Sequence, residues 1–136
     1  MSALSNYLEN ALLTWIKGTD MPAAPAAVYV ALFDGDPTDA ASGGNEITNT
    51  IKGSTTRTAV AFGAVSDSGA AKQIANSADV TIVASAVAGA DATHLGIFDA
   101  ATAGNLLYHG ALTASKTFNT GDEVKFAAGA LILKAQ

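Results

Sequence analysis

Residues 94–112 read HLGIFDAATAGNLLYHGAL, and this stretch decides the fold. Two apolar runs, HLGIF at 94–98 and LLYHGAL at 106–112, flank ATAGN at 101–105, whose Gly and Asn supply the turn conformations that most residues resist. The pattern predicts a β-hairpin. Outward from it, short apolar runs recur between clusters of Gly, Asn, Asp and Ser: VYVALF at 28–33, TRTAVAFGA at 56–64, DVTIVASA at 79–86, EVKFA at 123–127 and ALILKA at 130–135. GAVSDSGAAKQIANSA at 63–78 reads as turn, short strand, turn, and NTGDE at 119–123 as a tight turn before the next strand.

VYVALF is apolar on both faces, as in a strand covered on both sides. In TRTAVAFGA, Thr58, Val60 and Phe62 alternate with Arg57, Ala59 and Ala61, the signature of a half-buried strand. DGDPTDAASGGN at 34–45 is a long polar loop. YVALFD at 29–34 and HLGIFD at 94–99 share an ending in Phe-Asp before a turn, which suggests comparable sheet positions, although one such match is too short to establish a repeat. Seven or eight short strands with no helical pattern between them predict a mainly β fold, an antiparallel sandwich of jelly-roll type over 27–136, with a closed barrel as the alternative.

Only the beginning of the chain has helical spacing. Leu4, Leu8, Ala11, Leu12, Trp15 and Ile16 recur at intervals of three and four, predicting an amphipathic helix over 3–17. Asn6 and Glu9 suggest its cap, Gly18 its end, and the two prolines of TDMPAAPAA at 19–27 turn the chain to an extended path. The apolar face of Leu8, Leu12, Trp15 and Ile16 either covers the domain's own sandwich or meets another subunit, with Trp15 as an anchor.

With 136 residues, the chain has the length of one domain, 1–136. Charged residues make up 14%, against about 25% in ordinary soluble domains, which fits a surface partly covered by other subunits, although the many alanines offer a blander explanation of the apolar fraction. A net charge of −5 provides no broad source of phosphate neutralisation, and no apolar run approaches the roughly 20 residues of a spanning helix. Neither nucleic acid nor membrane is therefore an expected partner. There is no cysteine, and no signal peptide is indicated.

The sequence carries little that points to reaction chemistry. Neither of the glycine-rich phosphate loops nor the G-x-S-x-G nucleophile elbow is present. His94 and His109 are the only histidines, too few for a three-histidine zinc site; with Asp99 they could form a facial triad if strands brought them together, but structural hydrogen bonding is the expected role. Asp34, Asp36 and Asp39 crowd one loop as calcium ligands do, yet an EF-hand count puts Asp39 where Gly is needed and Asn45 where a bidentate Glu is needed. Asx-turn bonding is expected instead. Phe33, Phe62, Phe98 and Phe126 lie in apolar strand patterns, which favours core packing over an exposed platform for stacking sugars. The expectation is a non-enzyme with no catalytic, cofactor-binding or metal residue.

LSNYLENALLTWI at 4–16, AAVYVALFDGDPTDA at 26–40, NSADVTI at 76–82 and the long run THLGIFDAATAGNLLYHGALTASKTFNTGDEVKFAAGALIL at 93–133 together resemble a family of small tailed-bacteriophage virion proteins. Members are commonly labelled phage tail fibre proteins, and similar small β-proteins serve as head decoration or cement proteins. The resemblance implies a structural virion protein made in the host bacterial cytoplasm. A receptor fibre usually has an elongated shaft or repeat, and the short sequence displays neither, which favours capsid decoration on the outer head surface. The partners then expected are the major capsid protein and other copies of the chain in a homotrimer. A tail fibre or other tail appendage, bound to tail proteins and with host-surface glycans as its candidate ligand, is the alternative reading.

Overall fold

The computed structural model describes residues 3–47, 57–83, 90–119 and 121–135. In chain order the elements are β1 (Ala3–Leu4), α1 (Asn6–Ile16), β2 (Val28–Phe33), β3 (Thr58–Val60), β4 (Ser66–Ser68), β5 (Ala71–Ala75), β6 (Val80–Val83), β7 (Ala90–Phe98), β8 (Leu106–Phe118), β9 (Glu123–Phe126) and β10 (Ile132–Ala135). Every strand pairing is antiparallel. The strands form a five-stranded sheet in the order β1-β8-β7-β2-β3, a three-stranded sheet β10-β5-β4, and the pair β6-β9. No helix among the described residues is long and apolar enough to cross a membrane.

The expected hairpin is the centre of the large sheet. Its strands β7 and β8 extend beyond the apolar runs to Ala90 and Phe118, with register shifts between Ala92 and His94 and between Ile97 and Phe98. The region 63–78, expected to hold one strand, holds two: Ser68 pairs with Ala71 across a turn at Gly69, whose φ of 62° is readily adopted by glycine. The strand at 56–64 is shorter than its alternation suggested, and the later part of DVTIVASA, from 84, falls outside the described residues.

β2 is covered on both faces, as its composition requires. Val30 and Leu32 enter the main core with Leu95, Ile97 and Tyr108 of the large sheet, Val80, Ile82 and Val124 of the β6-β9 pair, and Leu131 before β10. A core shared between the large sheet and residues of the smaller ones gives the layered relation of a sandwich. On the other face, Ala31, Phe33, Phe98 and Leu106 form a second, smaller cluster.

That smaller cluster makes sense of the repeated Phe-Asp ending. β2 and β7 are antiparallel neighbours that pair Tyr29 with Phe98, Ala31 with Gly96 and Phe33 with His94. Equivalent residues of the two motifs are therefore related by an approximate two-fold rotation about the Ala31–Gly96 pair.

The N-terminal segment corrects two expectations. The helix runs Asn6–Ile16 rather than 3–17, because Ala3 and Leu4 pair with His109 and Tyr108 as an edge strand. Its cap is Ser5, not Asn6. Ser5 is buried, its Oγ donates to the Leu106 carbonyl and accepts from the Leu8 N–H at 3.3 Å, and its own N–H donates to the Leu107 carbonyl at 3.0 Å. A cap that also bonds to β8 fixes where the helix begins. Its end follows expectation: Gly18 has φ 94°, its N–H bonds the Trp15 carbonyl, and the Thr19 N–H bonds the Thr14 carbonyl, which makes a Schellman motif.

Candidate functional site

Two loops leave the Phe-Asp motifs and close in the same way. Asp34 accepts from the Asn45 N–H at 2.7 Å and from Asn45 Nδ2 at 3.0 Å. Asp99 accepts from the Asn105 N–H at 2.7 Å and from Asn105 Nδ2 at 2.8 Å. In each case the residue before the Asn is a glycine at positive φ, Gly44 at 60° and Gly104 at 72°, where a side chain would be strained. Both loops border a polar recess of about 480 Å³ above the Phe33 and Phe98 rings.

Arg57, the only arginine in the sequence, locks the two loops together. Its Nε and Nη2 donate to Glu46 at 2.8 and 2.9 Å, and its Nη1 donates to the carbonyls of Ala100 at 3.0 Å and Ala103 at 2.6 Å. The guanidinium carbon lies 3.5 Å from the centroid of Phe98. Only 8% of Arg57 is exposed. The alternation of Thr58, Val60 and Phe62 with Arg57, Ala59 and Ala61, read as a half-buried strand, gives no sign of this burial. A planar cation with a carboxylate and two carbonyls in reach can be buried, and the partners come from positions 46, 100 and 103, invisible to local alternation. With its donors committed to these acceptors, Arg57 acts as a structural lock.

His109 ties the first loop to β8. It is 3% exposed, its Nε2 lies 2.7 Å from Asp39 Oδ1, and its Nδ1 lies 3.0 Å from Asp36 Oδ1 without hydrogen-bond alignment. A carboxylate can only accept, so Nε2 carries the proton. The Asp36 carboxyl is held below the usual carboxylate range first by the Thr38 N–H, then by the charges of His109 and His94, while burial works in the opposite direction. Asp39 also brings its carbonyl to the Asn6 N–H at 2.9 Å, so the same loop holds the start of α1.

The residues weighed as metal ligands are thus distributed among other duties. His94 and His109 do lie on neighbouring strands, but Asp99 is engaged by Asn105, and His94 Nδ1 is 2.9 Å from Thr93 Oγ1. Asp34 serves Asn45, while Asp36 accepts from the Thr38 N–H at 2.9 Å as in an Asx turn. Among the described residues no three His, Cys, Asp or Glu side chains are grouped to hold a metal ion. Phe33 and Phe98 are buried, and Phe62 and Phe126 pack partly buried against the main core.

The helix face nominated from the sequence is divided by the structure. Leu8 and Leu12 are half-buried and Ala11 is buried, whereas Trp15 is 59% and Ile16 73% exposed, with Leu13 at 66% beside them. Trp15 follows Leu8 by seven residues, which puts it two turns on and only about 20° round the helix. It therefore has a core-facing position with no core beneath it: α1 overhangs the sheet.

The family model for Podophage GP4 fiber I protein gp80 matches residues 3–134. The chain belongs to that family. The match spans both Phe-Asp loops, Arg57, His109 and α1. It makes this protein a phage virion structural protein of fibre type, and it agrees with the tail fibre label carried by the resemblance. No curated protein matches the chain.

Proposed function

We propose that this protein is a compact structural subunit of a podophage virion fibre, assembled from several copies of itself, in a homotrimer, and attached to other tail proteins. The observation that carries this reading is the fibre-family match over 3–134, which takes in nearly the whole chain. The engagement of Arg57, His109 and the loop aspartates in holding loops supports a structural rather than a catalytic role. The uncovered end of α1 supports assembly into something larger.

Capsid decoration on the outer head surface, with the major capsid protein as partner, is a second reading. It is favoured by the sandwich-like packing around a single main core and by the absence, among the described residues, of a repeating shaft. Gold-labelled antibodies on intact virions separate the two. The fibre reading expects label on the tail and loss of fibres on deletion; label over the head, with heads that rupture more easily after deletion, supports decoration instead.

A further inference from the structure

The first Phe-Asp loop, 34–45, stores backbone strain. Thr38 and Ala41 sit at φ 63° and 53°, in the left-handed region that residues with a Cβ adopt only at a cost, and Thr38 is β-branched besides. Strain of this kind persists only where surrounding contacts hold it. Beyond the Asp34–Asn45 closure at its base, the loop is held by buried Pro37, by the Asp39 carbonyl on the Asn6 N–H of α1, and by His109 of β8.

Of these ties, His109 is the one that can change. Its Nε2 donates to Asp39, while its Nδ1 is buried without a hydrogen-bond partner although Asp36 Oδ1 is 3.0 Å away. With one proton on the ring, Nδ1 is a bare lone pair facing a carboxylate oxygen, and 3.0 Å leaves no space for a water between them. A metal ion would relieve this, but no three His, Cys, Asp or Glu side chains among the described residues are grouped to hold one. A second proton relieves it too. Nδ1–H then donates to Asp36, whose half-exposed side chain can turn into line. Burial disfavours a charged ring, but carboxylates stand at both of its nitrogens. From β7, His94 stands opposite Ala111, two places from His109 and so on the same sheet face, and its charge acts on Asp36. β1 contributes Ala3 and Leu4, which do not titrate, and Glu9 in the first turn of α1 is exposed.

We infer that His109 is a proton-gated latch: with both ring nitrogens protonated it clamps Asp36 and Asp39, and hence loop 34–45, onto β8, and with Nδ1 bare it lets the strained loop loosen. The closed loop surrounds the second proton with two carboxylates, whereas the open loop leaves it to water. Acid therefore favours the closed form, and rising pH the open one. Because the Asp39 carbonyl also holds the Asn6 N–H, the latch sets how firmly the start of α1 is seated. None of this depends on where in the virion the protein resides.

With only two histidines in the chain, nitrogen NMR can follow each ring. Between about pH 8 and about pH 5, where histidines change charge, the His109 ring should pass from Nε2–H alone to both nitrogens protonated. Over the same range the Asn6 amide, read by hydrogen exchange corrected for its intrinsic pH dependence, should become about tenfold better protected, the worth of one charge-assisted hydrogen bond. Ser5, whose N–H bonds the Leu107 carbonyl instead, should change less. His109→Gln cannot titrate and should abolish the Asn6 response, while His94→Gln should keep it. Asp36→Asn puts an amide donor within reach of the bare Nδ1 and should hold the loop closed at both ends of the range. Thermal melting checks that each variant folds; should His109→Gln fail to, the wild-type ring titration and Asp36→Asn decide. A His109 ring in one protonation state throughout overturns the inference, as does an Asn6 response that survives His109→Gln or Asp36→Asn. A response that needs added zinc and vanishes with a chelator also overturns it, because a metal ion and not a proton then closes the latch.

Discussion

Phe33 and Phe98 stack with ring centroids 6.2 Å apart and planes 14° from parallel, although the strand register pairs neither with the other. Phe33 stands opposite His94 and Phe98 opposite Tyr29, so the rings meet only by leaning inward over Ala31 and Gly96. A stack on the approximate two-fold axis joins the starts of the two loops, each of which continues into its own Asp–Asn closure.

Gly96 leaves the room for that stack. A Cβ there would lie 3.0 Å from both Phe33 Cε2 and Phe98 Cε2 and 2.9 Å from Leu106 Cδ1, inside a packed cluster with little freedom to yield. Gly96→Ala is expected to cost about 1–3 kcal/mol, as overpacking does. The check is the urea midpoint at unchanged slope. A wild-type midpoint would mean that the rings do not need the space.

Arg57 gives a larger effect. Its loss strands the Glu46 carboxylate, 19% exposed, and leaves the carbonyls of Ala100 and Ala103 without their side-chain donor. Arg57→Met should destabilise by about 3 kcal/mol or more, in line with the breaking of other buried pairs. Arg57→Lys should recover little of this, because one ammonium cannot reproduce the fork on Glu46 while reaching two carbonyls and lying flat on Phe98. Full recovery by lysine, read from denaturant melts, would show that only the charge matters.

The strands, the central hairpin and the helix were legible in the sequence because periodicity is a local signal: VYVALF is doubly apolar and is doubly covered, and ATAGN does join β7 to β8. The Phe-Asp match was also visible, but its meaning depends on the β2–β7 register, which no single segment encodes. The side chains that tie the loops were not legible. Arg57 reads only as one position of an alternating strand until Glu46 and the 100–103 carbonyls surround it, and Ser5 reads as one residue short of the cap until β8 supplies its acceptor. The face of α1 was right in its periodicity; where the sheet beneath it stops is a property of the tertiary fold alone.

Stability should fall on both sides of a broad plateau in pH. Asp34 is held low by the Asn45 side chain and N–H, Asp36 by the Thr38 N–H and then the histidines, and Asp79 by Lys125 and the Ala128 N–H. A carboxyl depressed in the folded state stabilises above its unfolded value of 3.8, and that contribution disappears as pH falls through the lower folded value. Lys125 is raised by Asp79, so its contribution is complete below 10.5 and is lost as pH rises above it. Melting temperature against pH should therefore drop below about pH 4, and Asp34→Asn should make the acid limb shallower. An acid limb of unchanged steepness in that variant would remove Asp34 from the account.

Asn76 is the position where one atom pair decides the most. Buried after β5, it donates from Nδ2 to the carbonyls of Ala78 at 2.8 Å and Ala127 at 3.0 Å and accepts from the Leu131 N–H at 2.8 Å on Oδ1, joining three chain segments through one amide. Asn76→Asp keeps the shape and the acceptor but turns an oxygen toward two carbonyl oxygens. At neutral pH this should cost about 2–4 kcal/mol, since a buried charge faces acceptors without a donor between them. The introduced carboxyl is easier to protonate in the folded than in the unfolded state, so its penalty should shrink as pH falls toward the unfolded value of about 3.9. The variant's stability deficit relative to wild type should therefore narrow in acid, while that of Asn76→Leu, which does not titrate, should not. Parallel pH profiles for the two variants would mean that the two carbonyls relax away and that the amide donors are dispensable.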